Sequence, residues 1–185
     1  KGATERGYET QTVRMHGKKI NGCTDCRRCW TDGAHCFIKD DMASVYEALD
    51  SSDVFVFATP LYFYSWPTQI KPVWDRLIPY YMPNAKVDVK GRRAVLLATA
   101  GDTDAGCFAG LKKSFELACG FCKWKIAGTL CAFDVYTAGE IARKGDWLEK
   151  AEALGRTLQS PTEMLPRSPE RSFAPAVLPI YIPCG

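Results

Sequence analysis

Asp53-Val54-Phe55-Val56-Phe57-Ala58-Thr59-Pro60 is the stretch that decides the fold. Its β-branched and aromatic residues run continuously, without alternation, and stop at a proline. Such a run marks a strand buried on both faces, as in a parallel sheet. Arg93 to Thr99 (RAVLLAT) repeats the pattern and stops at Ala100-Gly101. Trp124 to Phe133 is a third strand, weakened by Gly128, and Thr12-Val13-Arg14-Met15 is a fainter one.

Helical patterns lie between these runs. Met42, Val45, Tyr46 and Leu49 follow i, i+3, i+4, i+7 spacing, with Asp40 or Asp41 placed to cap the N-terminus. Ile70, Val73, Trp74 and Leu77 repeat the spacing, with Pro72 confined to a first turn or a kink. Phe108, Leu111, Phe115, Ala118 and Cys122 form a third stripe, and Trp147, Ala151, Leu154 and Leu158 a fourth. Strand and helix in alternation imply right-handed crossovers and a doubly wound α/β sheet.

The two ends depart from that scheme. Lys1 to Gly7 reads as the last turns of a helix followed directly by a strand. A doubly wound sheet places a strand and a loop before such a helix, so the reading expects the first strand to be missing and the chain to be incomplete there. One domain is expected over 1–159. Residues 160–185 hold 6 of the 11 prolines and show no periodicity, so a proline-rich tail lying on the surface or on another subunit is expected. Ala176 to Ile182 is the one stretch able to fill the empty strand position. Pro179 argues against it, because a proline in a central strand removes a ladder hydrogen bond.

Composition narrows the function classes. The 185 residues are 46% hydrophobic and 24% charged, within the range of a soluble globular domain. A net charge of +3 gives no basis for a nucleic-acid surface. The longest apolar run, Val54 to Trp66, is broken by Thr59-Pro60 and falls short of the ~20 residues of a spanning helix, so no membrane partner is expected. Nine cysteines, an odd count in a chain large enough for its own core, argue for reduced thiols or ligands and a cytoplasmic home. With only His16 and His35 present, a histidine-based hydrolase is not expected.

Three motifs carry chemistry. Cys23-x2-Cys26-x2-Cys29-x6-Cys36 lets one loop wrap a small inorganic core, in the manner of ferredoxin-type runs, although the last spacing differs and no proline follows Cys36. Zinc and unligated thiols are the other two readings of the same residues. Arg27 and Arg28 in this loop are placed to lower a thiol pKa, to meet a phosphate, or simply to be solvated. Cys107, Cys119, Cys122 and Cys131 read as core packing.

Thr59-Pro60-Leu61-Tyr62-Phe63-Tyr64-Ser65-Trp66 leaves a strand at the carboxyl edge of the sheet, where open α/β sheets bind ligands. Aromatic rings with exposed backbone N–H groups suit a planar cofactor ring; packing on a neighbouring subunit is the alternative. Thr99-Ala100-Gly101 begins the matching loop after the next strand, with small residues that allow close backbone approach.

Ile20-x2-Cys23-x2-Cys26-x2-Cys29 with Cys36, then Lys39-Asp40-Asp41-Met42, Ser52-Asp53, Thr59-Pro60-Leu61-Tyr62 and Lys71 with Asp75-Arg76 together resemble the NADPH-dependent FMN reductase family, and within it the iron–sulfur flavoproteins. The resemblance runs from about Gly2 to Leu158. It implies a flavodoxin-like three-layer α/β/α fold and FMN at the carboxyl edge, held by Pro60, Leu61, Tyr62, Phe63, Tyr64 and Ser65 and by Thr99, Ala100 and Gly101. A homodimer or homotetramer is also implied. It further implies an oxidoreductase passing electrons from NAD(P)H to a small acceptor such as a flavin or quinone, with no catalytic side chain required. The alternative it carries is an electron carrier fed by a ferredoxin-like donor, with a 4Fe–4S cluster on Cys23, Cys26, Cys29 and Cys36. The family's phosphate-cradling loop after its first strand has no counterpart before Lys1.

Overall fold

Each apolar run becomes a strand, and each strand lies parallel to its neighbours. The structure, a computed structural model, describes residues 1–159, Ala174 and 176–181. Its strands are β1 (Glu9–Thr10), β2 (Val13–Arg14), β3 (Val54–Pro60), β4 (Arg93–Thr99), β5 (Lys125–Ala132) and β6 (Ala176–Tyr181). Helices are α1 (Gly2–Glu5), α2 (Cys29–Asp32), α3 (Met42–Ser51), α4 (Lys71–Asp75), α5 (Ala109–Cys122) and α6 (Trp147–Arg156). The sheet order is β1-β6-β3-β4-β5, with β2 also pairing with β6, so β1 and β2 form one interrupted edge. With β6 taken as the first strand, this is the flavodoxin-like order 2-1-3-4-5.

Two expectations from the sequence are corrected here. The central place is filled, and Ala176–Tyr181 fills it, pairing with β1 and β2 on one side and β3 on the other. The reason Pro179 is tolerated lies in the side to which its nitrogen points. The carbonyls of Val177 and Tyr181 accept from the N–H groups of Gln11 and Met15, whereas the Ala176 carbonyl accepts from Asp53 N–H on the opposite side. Odd-numbered positions of β6 therefore face the edge, and Pro179 is one of them. Continuing the register of Thr10 with Val177 and Val13 with Ile180 sets Pro179 against Thr12, within the break between β1 and β2. Its missing N–H falls where the edge ladder is already interrupted, a position proline accepts. The remainder of the expected tail, 160–173, 175 and 182–185, lies outside the described residues.

Both faces of the sheet are covered. Phe55, Phe57, Leu96, Leu178 and Ile180 pack on one face against α3, α4 and α5. Val54, Val95 and Val177 pack on the other face with Tyr8 and Leu158, next to Ala3 and Leu154 of α1 and α6. Burial on both faces is why these strands read as continuous apolar runs. Of the four thiols read as core packing, Cys107, Cys119 and Cys122 are buried, and Cys131 is half-buried against the core. Burial pushes the thiols of Cys119 and Cys122 up to about 12 and about 11, which keeps them protonated and inert.

The side chain that caps α3 is that of Asp40, one residue before the N-cap position. Asp41 is the N-cap residue, yet Asp40 Oδ1 accepts from the Met42 N–H at 3.1 Å, while Asp41 Oδ2 accepts from Lys19 N–H at 2.7 Å. Asp41 and Asp40 also tie the segment that leads into the cysteine loop, Lys19 and Asn21, to the start of the helix.

Candidate functional site

All strands run the same way, so the loops after β2, β3, β4 and β5 leave from one edge of the sheet. Three of these loops enclose a cavity of about 520 Å3 lined by Pro60, Leu61 and Tyr62, by Thr99 to Asp102, and by Val135 to Gly139 with Ile141. That volume lies within the usual ~300–1,000 Å3 of a ligand site. Six of the nine expected flavin-contacting residues are brought together here: Pro60, Leu61, Tyr62, Thr99, Ala100 and Gly101.

Phe63, Tyr64 and Ser65 are placed otherwise. Tyr62 and Ser65 exchange backbone hydrogen bonds, closing a tight two-residue turn with Phe63 and Tyr64 at its tip. Both tip residues have positive φ, 50° and 63°, the signature of a type I′ turn that ordinarily takes Asn-Gly. Phe63 is 98% exposed. Two bulky side chains in left-handed backbone are strained, and this pair is also open to solvent.

The third wall, Val135 to Ile141, was not singled out in the sequence. Its signal was available: it follows β5 at the same carboxyl edge as the two loops that were recognised. The wall is braced from within. Glu140 Oε2 accepts from the N–H of Tyr136 at 2.6 Å and of Thr137 at 2.9 Å, and Oε1 lies 3.0 Å from Lys144 Nζ. The Thr137 N–H, then Lys144, then the Tyr136 N–H hold the Glu140 carboxyl down to about 2. Lys144 also reaches Asp134 Oδ1 at 3.0 Å.

The cysteine loop leaves the same edge after β2. Cys23 and Cys26 are exposed, Cys29 and Cys36 half-buried, and all four are free thiols. Asp25 and Arg27, flanking Cys26, take left-handed φ of 49° and 60°. Among the described residues no three His, Cys, Asp or Glu side chains are gathered to hold a metal ion. As placed, then, the thiols do not form a cluster site. Both arginines are engaged by neighbouring side chains. Arg27 pairs with Asp25 at 3.1 Å and lies over the Trp30 ring, while Arg28 lies over Phe37. Burial, followed by the neighbouring Cys36, pushes the Cys29 thiol up.

Cys23 and Asp25 lean instead on a second cavity of about 550 Å3, walled by Trp66, Trp74, Tyr81 and Phe121. It shares no lining residue with the first. The far end of the loop is docked on aromatics: His35 stacks on Tyr46 at 4.2 Å, with Nε2 3.3 Å from Asp50 Oδ1. Gly33 needs its left-handed φ of 65° there, and a Cβ would stand 1.8 Å from the Asn84 carbonyl oxygen.

A parallel, doubly wound sheet with a cavity over the carboxyl ends of adjacent strands is the arrangement in which open α/β proteins bind their ligands. The family model for NADPH-dependent FMN reductase matches residues 1–120, and the chain belongs to that family. It is similar to the iron-sulfur flavoprotein of Methanosarcina thermophila, 32% identical over 104 residues, covering 56% of this chain and 53% of that one. An iron-sulfur flavoprotein of Archaeoglobus fulgidus is 38% identical over 103 residues, covering 55% of this chain and 51% of its own. The chain thus spans about half the length of these relatives. Among solved structures, RosB aligns with a TM-score of 0.60 at 20% identity, over 83% of this chain and 63% of RosB, a likeness of fold. No helix among the described residues is long and apolar enough to cross a membrane.

Proposed function

We propose that this chain binds FMN and serves an oxidoreductase that takes electrons from NAD(P)H and passes them to a small acceptor such as a flavin or quinone. The observation that carries the reading is the cavity of about 520 Å3 made by the loops after β3, β4 and β5. Its size and lining fit a tricyclic ring: Gly101 permits close backbone approach, and Tyr62 and Tyr136 offer rings at its rim. When bound, FMN supplies the hydride and single-electron chemistry. The chain's part is to bind and orient it. Pro60 and Leu61 form one wall, and the Glu140–Lys144 brace holds the opposite wall in place. Phe63, Tyr64 and Ser65 act at the mouth, beyond the cavity lining. The exposed Phe63, Tyr64 and Phe121 favour a homodimer or homotetramer, and the free thiols favour a reducing, cytoplasmic setting.

Reconstitution with FMN followed by NADPH or NADH oxidation, with a quinone or free flavin as acceptor, tests this. Stoichiometric FMN and turnover with either nucleotide are expected; a chain that takes up no FMN overturns it.

The iron-sulfur names of the relatives and the four-cysteine loop favour a second reading, an electron carrier with a ferredoxin-like donor and a 4Fe–4S cluster on Cys23, Cys26, Cys29 and Cys36. It requires the loop to close from the arrangement described above. Iron and acid-labile sulfide in anaerobically purified protein, both lost in Cys29→Ala, are its expected result. Protein without iron rejects it.

A further inference from the structure

The second cavity, of about 550 Å3, lies where the cysteine loop, α4 and α5 meet, and its size is that of a small-molecule site. Rings make much of its wall. Trp66 and Trp74 are tilted against each other with centroids 5.1 Å apart, and Tyr81 and Phe121 likewise at 5.5 Å. Such walls suit the faces and edges of a flat ring system.

Two polar atoms of the same wall are poorly served. Trp74 Nε1 is buried without a hydrogen-bond partner, and the buried Tyr81 hydroxyl has only the Cys122 thiol, a weak partner, beside it. Buried donors without acceptors are costly, and they mark a place where an acceptor belongs. At the same cavity, Ser114 Oγ accepts from Trp66 Nε1 at 3.0 Å, which leaves its own proton to donate. The three charged side chains of the lining are already paired: Lys71 with Asp75 at 2.6 Å, and Asp25 with Arg27 at 3.1 Å. An anion would have to break the Lys71–Asp75 pair. A cation held over the rings would leave both donors unmet.

We propose that this cavity binds an uncharged, planar aromatic carbonyl compound, its faces against the rings and its carbonyl oxygen accepting from Trp74 and Tyr81. The inference concerns binding alone and stands apart from the FMN reading, because the two cavities share no lining residue.

Equilibrium dialysis of coumarin, a flat uncharged lactone, against the full chain tests it, with naphthalene as a ring system of similar size that lacks the carbonyl. One coumarin per chain is expected, retained when FMN is added to saturation, with naphthalene bound about tenfold more weakly. Trp74→Phe and Tyr81→Phe each keep a ring in the wall and remove a donor. Each is expected to weaken coumarin about fivefold or more, with naphthalene and FMN affinity unchanged. Ala118→Trp, which sets a large side chain into the cavity, is expected to abolish binding of both probes. Trp74 also stacks on Phe57 at 4.3 Å, so where Trp74→Phe loses its near-UV dichroism, Tyr81→Phe carries the comparison. Equal affinity for the two probes, wild-type coumarin affinity in Tyr81→Phe, or displacement of coumarin by FMN overturns the proposal. Coumarin binding that disappears as the protein is concentrated into self-association gives the cavity to a second copy and overturns it as well.

Discussion

The ring of Tyr136 lies against Gly101 so closely that a β-carbon at position 101 would stand 2.4 Å from Tyr136 Cδ2. The two residues come from the loops after β5 and β4, so their contact sets the width of the proposed flavin cavity. Tyr136 is 86% exposed, which leaves its ring free to swing outward. Gly101→Ala is therefore expected to change stability by no more than about 0.5 kcal/mol. FMN affinity is expected to fall about tenfold, equivalent to ~1.4 kcal/mol. Fluorescence-quenching titration with FMN beside urea denaturation reads both. Unchanged FMN affinity would remove this contact from the flavin site.

Phe63 and Tyr64 occupy left-handed backbone that costs a bulky residue about 1–2 kcal/mol. Phe63 makes little burial in return. Phe63→Asn with Tyr64→Gly supplies the residues a type I′ turn prefers. The double variant is expected to gain about 1–2 kcal/mol in urea denaturation. It is also expected to weaken self-association, read by sedimentation, if the rings meet a second copy. A loss of stability would show that the rings are held by contacts worth more than the strain.

The three-layer architecture and two walls of the cavity were legible because they rest on local signals: continuous apolar strands, and small or aromatic residues directly after them. What was not legible depends on which way a group points or on what lies across the sheet. Pro179 rules out a central strand only when its nitrogen faces an intact neighbour, and the break at Gln11–Thr12 is visible only once the register is known. Arg76 and Asp40, which form a buried ion pair at 2.7 Å, appeared in the sequence as part of a resemblance with no role attached. Nothing in their neighbours marks an arginine that is almost wholly buried. The Tyr136 wall carries a weaker local signal, since β5 is followed by Phe133-Asp134-Val135 and not by a run of small or aromatic residues.

The place of β6 in the sheet has its own consequence. Leu178 is fully buried against the face that carries Phe55 and Phe57. Leu178→Ala is expected to cost about 2–5 kcal/mol, as for a leucine truncated in a packed core. Pro179→Ala restores an N–H facing the interrupted edge and is expected to change stability by less than about 1 kcal/mol. Paired urea curves check the contrast. A neutral Leu178→Ala would return this segment to the surface.

Glu140 gives the proposed flavin site a pH dependence whose sign follows from its low carboxyl pKa. Its ordinary value of 4.5 is held down to about 2 by the Thr137 N–H, Lys144 and the Tyr136 N–H. A carboxyl depressed in the folded state contributes fully above its unfolded value and is lost as pH falls through its folded value. The brace on the third wall is thus complete above pH 4.5 and released as the pH approaches 2. Glu140→Gln lacks the charge at every pH, so its FMN affinity is expected to be several-fold weaker than wild type near neutrality. That ratio is expected to shrink as the pH falls through the same window. Taking the ratio of variant to wild type at each pH cancels titration of the FMN phosphate, which both proteins share. A ratio of one near neutrality would mean that the wall stands without its brace, and a ratio that stays constant into acid would place the effect of Glu140 outside its charge.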